Sequence, residues 1–281
     1  MSDLYLPPEI VDHIVALLHD EQGALKECSL VSQSWVPRIR KHLFADIRFH
    51  SVHDLELWKE AFPDPMESPA RYARTLFIGS PYVITDADAE VGGWIKGFSR
   101  VTHLEVDSEM YFDPTISLVP LHGFSPFIKS LRVQFADLPS SRIIGLALSF
   151  PLLEDLTAGI HFETWANRSG GSGELPAFAH PPSLPAFTGS LELMKAGMGP
   201  IARQLLSLQG GIHFRELILT WFYKEDTLLA TRLVERCSHT LDSLDFCCGT
   251  STRHRNPRRL LTPIFRDAGA DFDRPLKGDE T

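Results

Sequence analysis

Hydrophobic residues recur along this chain in two rhythms, and the change from one to the other divides it. Over the first fifty residues the period is helical. Ile10, Val11, Ile14, Leu17 and Leu18 fall at i, i+1, i+4, i+7 and i+8, one face of a helix. Pro7 and Pro8 suit the first helical positions, where a missing N–H costs nothing, and Glu9 suits the positive end of the dipole. This helix is expected to stop near residues 19–23, with Gly23 as the breaker. A second helix is expected from Ala24 to about Trp35 through Leu25, Cys28 and Val31. Pro37 forces a break or a new start, and a third helix carries Ile39, Leu43 and Phe44. Helices this short hold little private core. They read either as a cap packed on the rest of the chain or as a surface that another protein covers.

Past residue 70 the period becomes two, and it repeats. Seven runs align: "ARTLFIG", "VTHLEVD", "IKSLRVQ", "LEDLTAG", "TGSLELM", "FRELILT" and "LDSLDFC". Their central leucines are Leu76, Leu104, Leu131, Leu156, Leu191, Leu217 and Leu244, at steps of 28, 27, 25, 35, 26 and 27 residues. Every run has a hydrophobic residue two positions after the leucine, and six have one three before it. Alternation of that kind is a half-buried strand. The intervening segments are helical where they show a period: in "EDTLLATRLVERC" Leu229, Leu233 and Cys237 fall at i, i+4 and i+8. One strand and one helix per 20–29 residues is the leucine-rich-repeat arrangement, which stacks into a solenoid with a parallel sheet. The signature Asn of regular repeats is missing, so the copies are irregular. The expected fold class is therefore α/β: a small helical domain over 1–50, a linker over 51–71, and an irregular repeat solenoid over 72–249.

Within the long step, residues 166–186 are rich in Gly, Ser and Pro and are expected to form a loop inserted in one repeat. Residues 250–281 contain "RHRNPRR" and read as a basic, poorly ordered tail.

Composition changes this picture little. Of 281 residues 43% are hydrophobic and 22% charged, ordinary for a globular chain. The net charge of −9 argues against a general nucleic-acid or anionic-membrane binder. No apolar run approaches the length of roughly 18 residues that a membrane span needs, and "MSDLYLPPE" lacks the regions of a signal peptide. Cys28, Cys237, Cys247 and Cys248 form neither a CxxC nor a disulfide framework, in keeping with reduced thiols in the cytosol or nucleus.

Candidate chemistry is sparse. "LELMKAGMGPIARQLL" has the order strand, Gly197-x-Gly199-x-x-Ala202, helix, as a dinucleotide fingerprint does. Its next acidic group at a strand end, Glu225, stands about 28 residues on rather than about 20, and Pro200 removes a donor from the helix start. Neither the twelve histidines nor "SGGSG" supplies a ligand spacing or a nucleophile elbow. With no catalytic constellation, the expectation is a protein that is not an enzyme and carries no cofactor and no metal.

One stretch carries a resemblance. "LPPEIVDHIVALL…ALKECSLVSQSWVPRIRKHLF" resembles the F-box motif in its Leu-Pro-x-Glu-Ile opening, its Ile/Leu-rich first helix, its Ser-Leu-Val-Ser followed by Trp, and its aromatic end. The resemblance implies docking to the Skp-type adaptor of a cullin–RING ubiquitin ligase. It maps adaptor contacts onto Leu6, Pro7, Ile10, Ile14, Leu25, Val31 and Trp35. An F-box followed by irregular leucine-rich repeats is similar to a large group of fungal F-box-like proteins. The implied function is that of a substrate-receptor subunit, with the adaptor on the N-terminal helices and a target protein on the repeat face. The alternative is a repeat scaffold that binds proteins outside ubiquitination. On the strands, the outward positions Glu105, Asp107, Asp155, Glu192, Glu216 and Asp245 stand against one basic residue, Arg132, with Phe77 and Ile218 between them. They are expected to form one acidic field suited to a basic segment of the target, or simply a solvated face.

Overall fold

The protein is described here by a computed structural model covering residues 6–19, 21–79, 93–108, 118–124, 126–135, 140–160, 187–194, 198–208, 210–221 and 224–248. The chain divides into two units, 1–249 and 250–281. The second unit, with the expected basic tail, lies outside the described residues, as does the expected loop at 166–186.

The first unit opens with helices α1 (Pro8–Leu17), α2 (Gln22–Ser29) and α3 (Val36–Leu43). Pro8 and Glu9 start α1 as the sequence predicts. Gly23, expected to separate two helices, instead sits in the first turn of α2. That helix also ends six residues short of Trp35, where serine hydroxyls compete for the backbone. Ser29 Oγ donates to the Lys26 carbonyl at 2.6 Å, and Ser32 Oγ accepts from the Ser34 N–H at 3.3 Å. Trp35 therefore lies at the start of α3 rather than at the end of α2. Val11, Val15, Leu25 and Ile39 form a small buried cluster, with Leu18, Cys28, Trp35 and Leu43 packed partly against it. Arg38 Nε donates to Asp12 Oδ1 at 2.6 Å and ties α3 to α1.

Eight strands come next: β1 (Asp46–Phe49), β2 (Thr75–Ile78), β3 (His103–Ser108), β4 (Ser130–Phe135), β5 (Asp155–Ile160), β6 (Phe187–Met194), β7 (Ile212–Trp221) and β8 (Ser243–Cys248). They form one parallel sheet in sequence order, open rather than closed. Four more helices lie between strands: α4 (Val52–Ala61), α5 (Ser140–Leu148), α6 (Met198–Leu206) and α7 (Lys224–Cys237), giving seven among the described residues.

Register matches the repeat. Leu76, Leu104, Leu131, Leu156, Leu191, Leu217 and Leu244 are partners in consecutive strand pairs, a single column across the sheet. Two residues on, Ile78, Val106, Val133, Ala158, Leu193 and Leu219 form a second buried column. Helices cover both columns with Leu55 of α4, Ile143 and Ala147 of α5, Ile201 and Leu205 of α6, and Leu233 of α7. Under the first strands the core is aromatic: Phe49 meets Trp58, Trp94 and Phe98 edge-on at 5.7–6.2 Å between ring centroids.

Two further expectations change. The sheet has an eighth strand, β1, inside the segment assigned to the helical domain, and Ile47 pairs in register with Leu76. Residues 51–71, expected as a linker, contain α4 and run into a 3-10 turn over Pro69–Tyr72. A capping box starts α4: Ser51 Oγ accepts from the Asp54 N–H at 3.3 Å, and Asp54 Oδ2 accepts from the Ser51 N–H at 3.0 Å. Leu55 is then fully buried in the main core, so this stretch is the first strand-to-strand crossover.

Candidate interaction surfaces

Helix α1 is apolar on more than the side it buries. Val11, Val15 and Leu18, at i, i+4 and i+7, turn into the three-helix cluster. Ile10 and Leu17, also i and i+7, turn outward and are 48% and 70% exposed, with Ile14 half-buried between them. Leu6 and Pro7, just before the helix, are exposed as well. Val31 is 69% exposed and the neighbouring Leu30 86%, in the turn after α2. Of the seven residues that the motif resemblance assigns to a partner, Leu6, Pro7, Ile10, Ile14 and Val31 thus have surface to offer. Leu25 does not. It is fully buried in the cluster, so its part is to hold the helices together rather than to touch another protein. Trp35 divides its surface between the cluster and solvent. Ile10, Val11, Ile14, Leu17 and Leu18, expected on one face, divide between two, and Leu17 turns outward. That stripe is wide enough to be two.

The second surface is the strand face opposite the helices. Register places Arg48, Phe77, Glu105, Arg132, Thr157, Glu192, Ile218 and Asp245 in one row across it. A second row carries Asp46, His103, Asp155 and Glu216, and Asp107 stands half-buried on β3 beside Gln134 of β4. The acidic residues therefore share a face, as expected, but they do not form one field. Arg132 Nε lies 3.2 Å from Glu105 Oε1. On β1, Arg48 Nη2 lies 3.1 Å from Asp46 Oδ2 and its guanidinium sits 5.7 Å from the Phe77 ring centre. Over β1–β4 the carboxylates Asp46 and Glu105 each have an arginine beside them.

Over β5–β8 no cation shares these two rows. Asp155 accepts from Ser190 Oγ at 2.7 Å and Glu192 from Thr157 Oγ1 at 3.2 Å, bonds that fix the carboxylates without neutralising them. Glu216 and Asp245 are exposed. The anionic part of the face is its second half, interrupted by the half-buried Ile218 between Glu192 and Asp245. Near the start of β6, Gly189 interrupts the register with φ of 90°, and a Cβ there would collide with the Glu154 carbonyl.

Of the Gly197-x-Gly199-x-x-Ala202 run, Gly197 lies outside the described residues. Gly199 is in the first turn of α6, where a Cβ would stand 2.6 Å from Asp226 Oδ1 of α7. Close helix packing accounts for that glycine. Burial pushes the Cys237 thiol up, away from the thiolate, against a smaller opposing effect of a backbone hydrogen bond from Phe214. No group of three or more His, Cys, Asp or Glu among the described residues could hold a metal ion. Among them, too, no helix is long and apolar enough to cross a membrane.

No family model, no curated protein and no solved structure matches this chain.

Proposed function

We propose that this chain is a substrate-receptor subunit of a cullin–RING ubiquitin ligase, with an F-box-like element at its N-terminus and an irregular leucine-rich-repeat body. The observation that carries the reading is the exposed apolar edge of α1, formed by Ile10 and Leu17 and preceded by Leu6 and Pro7. A helix that has already buried one apolar edge gains nothing in water from a second. That edge is also where the Leu-Pro-x-Glu-Ile resemblance places the Skp-type adaptor. The in-register leucine column is the pattern that a stack of strand–crossover repeats gives, and its opposite face is free to hold a target protein. In this role the chain supplies proximity and no chemistry of its own, works without a cofactor, and reaches the cullin through the adaptor. Its place is the cytoplasm or the nucleus.

The test is co-elution. Purified full-length chain mixed with a purified Skp-type adaptor should migrate as a stoichiometric complex on size exclusion and recruit the cullin. A folded chain that elutes apart from the adaptor at micromolar concentrations overturns the proposal. That outcome would favour the second reading, a repeat scaffold whose first helices only cap the sheet. What supports that alternative is that α3 runs within three residues into β1, and that Arg74 and Thr75 donate to the Ala45 carbonyl at 2.8 and 2.9 Å.

A further inference from the structure

Where β2 and β3 begin, four cationic residues line one pocket of about 180 Å³: Lys41 of α3, Arg71 of the 69–72 turn, Arg74 just before β2 and Arg100 just before β3. Tyr72 completes the lining, and no acidic residue takes part in it. Among the described residues, Lys41, Arg74 and Arg100 make no ion pair. Arg71 lies with its guanidinium 5.0 Å from the Tyr72 ring centre, and its Nη2 donates to Tyr72 Oη at 3.1 Å. Four like charges gathered in a chain of net charge −9 repel one another, and an anion among them relieves the repulsion.

The frame around them is fixed. The Arg74 N–H donates to the Ala45 carbonyl at 2.8 Å, and the Arg74 carbonyl accepts from the N–H groups of Thr102 and His103 at 2.9 and 3.0 Å. Arg74 is thereby held between the starts of β1 and β3. Arg71 is oriented by the ring beside it.

We propose that this pocket binds a phosphoryl group, a role independent of adaptor docking and of the strand face. Three guanidinium forks match the oxygen pairs of a phosphoryl dianion, which three ammonium groups would not do as specifically. The volume equals roughly six waters at about 30 Å³ each, room for the phosphoryl and a few atoms of its carrier. The carrier is a small phosphate ester or a phosphorylated side chain. The bound group would touch both α3 and the first strands, so it would brace the N-terminal helices on the sheet.

Calorimetric titration of the full-length chain tests this, with pyrophosphate in one arm and a glycine-flanked phosphoserine peptide, beside its unphosphorylated form, in the other. Saturable binding of pyrophosphate alone assigns a free ester. Tighter binding of the phosphopeptide assigns a modified protein segment. Arg74→Gln with Arg100→Gln should weaken whichever ligand binds by about tenfold per arginine, the scale of one charge-assisted hydrogen bond. Lys41→Gln, a change on a helix surface, should weaken it too and serves if the double variant fails to fold. Arg203→Gln with Arg232→Gln, exposed on α6 and α7, removes equal charge and should change nothing. Absence of saturable binding by both phosphorylated probes overturns the proposal. So does binding that the pocket variants leave intact, or that the control variant weakens equally.

Discussion

Because α1 turns one apolar edge inward and another outward, substitutions along it should separate folding from docking. Val15 is fully buried beside Val11, Leu25 and Ile39. An aspartate there loses the burial of a valine, about 1.5–3 kcal/mol, and leaves a carboxylate in an apolar cluster at a further cost of several kcal/mol. Four fully turned-in residues cannot absorb that, so Val15→Asp should unfold the three helices. On the outer edge, Ile10 retains about half of its exposure and Leu17 about two-thirds. Completing their burial against a partner is therefore worth about 0.7–1.5 and 1–2 kcal/mol, together roughly 2–3.5 kcal/mol. The double variant Ile10→Asp with Leu17→Lys adds no net charge and puts each charge at the helix end that favours it. It should keep its helical circular dichroism and melting temperature while adaptor affinity, measured by calorimetry, falls about 30- to 300-fold at 1.4 kcal/mol per decade. A folded double variant that binds the adaptor within about threefold of the parent chain refutes the reasoning. Normal adaptor binding by Val15→Asp refutes it equally.

Leu131→Ala, in the middle of the leucine column, should lower the free energy of unfolding in urea by about 2–5 kcal/mol, while Leu244→Ala, half-buried on the last strand, should cost less than half as much. Equal losses would mean that the depth of burial along the column does not set the cost. Gly189→Ala should destabilise by about 1–3 kcal/mol or more, measured in the same way, because its φ of 90° and the nearby Glu154 carbonyl leave no place for a methyl group. Charge reversal to Lys at Glu192, Glu216 and Asp245 should abolish capture of target proteins from lysate and spare adaptor binding, whereas reversal at Glu105, already beside Arg132, should alter capture little. Unchanged capture by the triple variant would reduce the acidic half to a solvated face.

The strands and their pairing were legible because each run repeats a local alternation, and equivalent positions of a repeat pair in register. β1 is hidden in the pattern, although Phe44, Ile47 and Phe49 repeat the same alternation and Ile47 stands 29 residues before Leu76. The helical period of the preceding residues ran into it and masked a strand of only four. Helix α4 is hidden for a related reason. Its apolar content is modest, with Leu55 its only fully buried residue, and the stronger signal was the Ser51–Asp54 capping box at its start.

The candidate surfaces were legible as residues but not as charge. On the apolar helix, membership of a stripe could be read, yet which edge faced the core depended on where α2 and α3 packed. Val15, not Ile14, met Leu25 and Ile39 as a result. On the strands, alternation placed every carboxylate on the correct side of the sheet. Whether a carboxylate is neutralised, however, is decided by its neighbour one strand away, some 27 positions along the chain. Glu105 lies opposite Arg132, while Glu192 lies between Thr157 and Ile218. Strand neighbours sit about 4.8 Å apart, so one such partner decides the local field where a count of charges over the whole face does not. The half of the face that stays anionic is the half where serine and threonine, rather than arginine, stand beside the acids. A basic target segment should therefore lie across β5–β8 and not across the whole sheet.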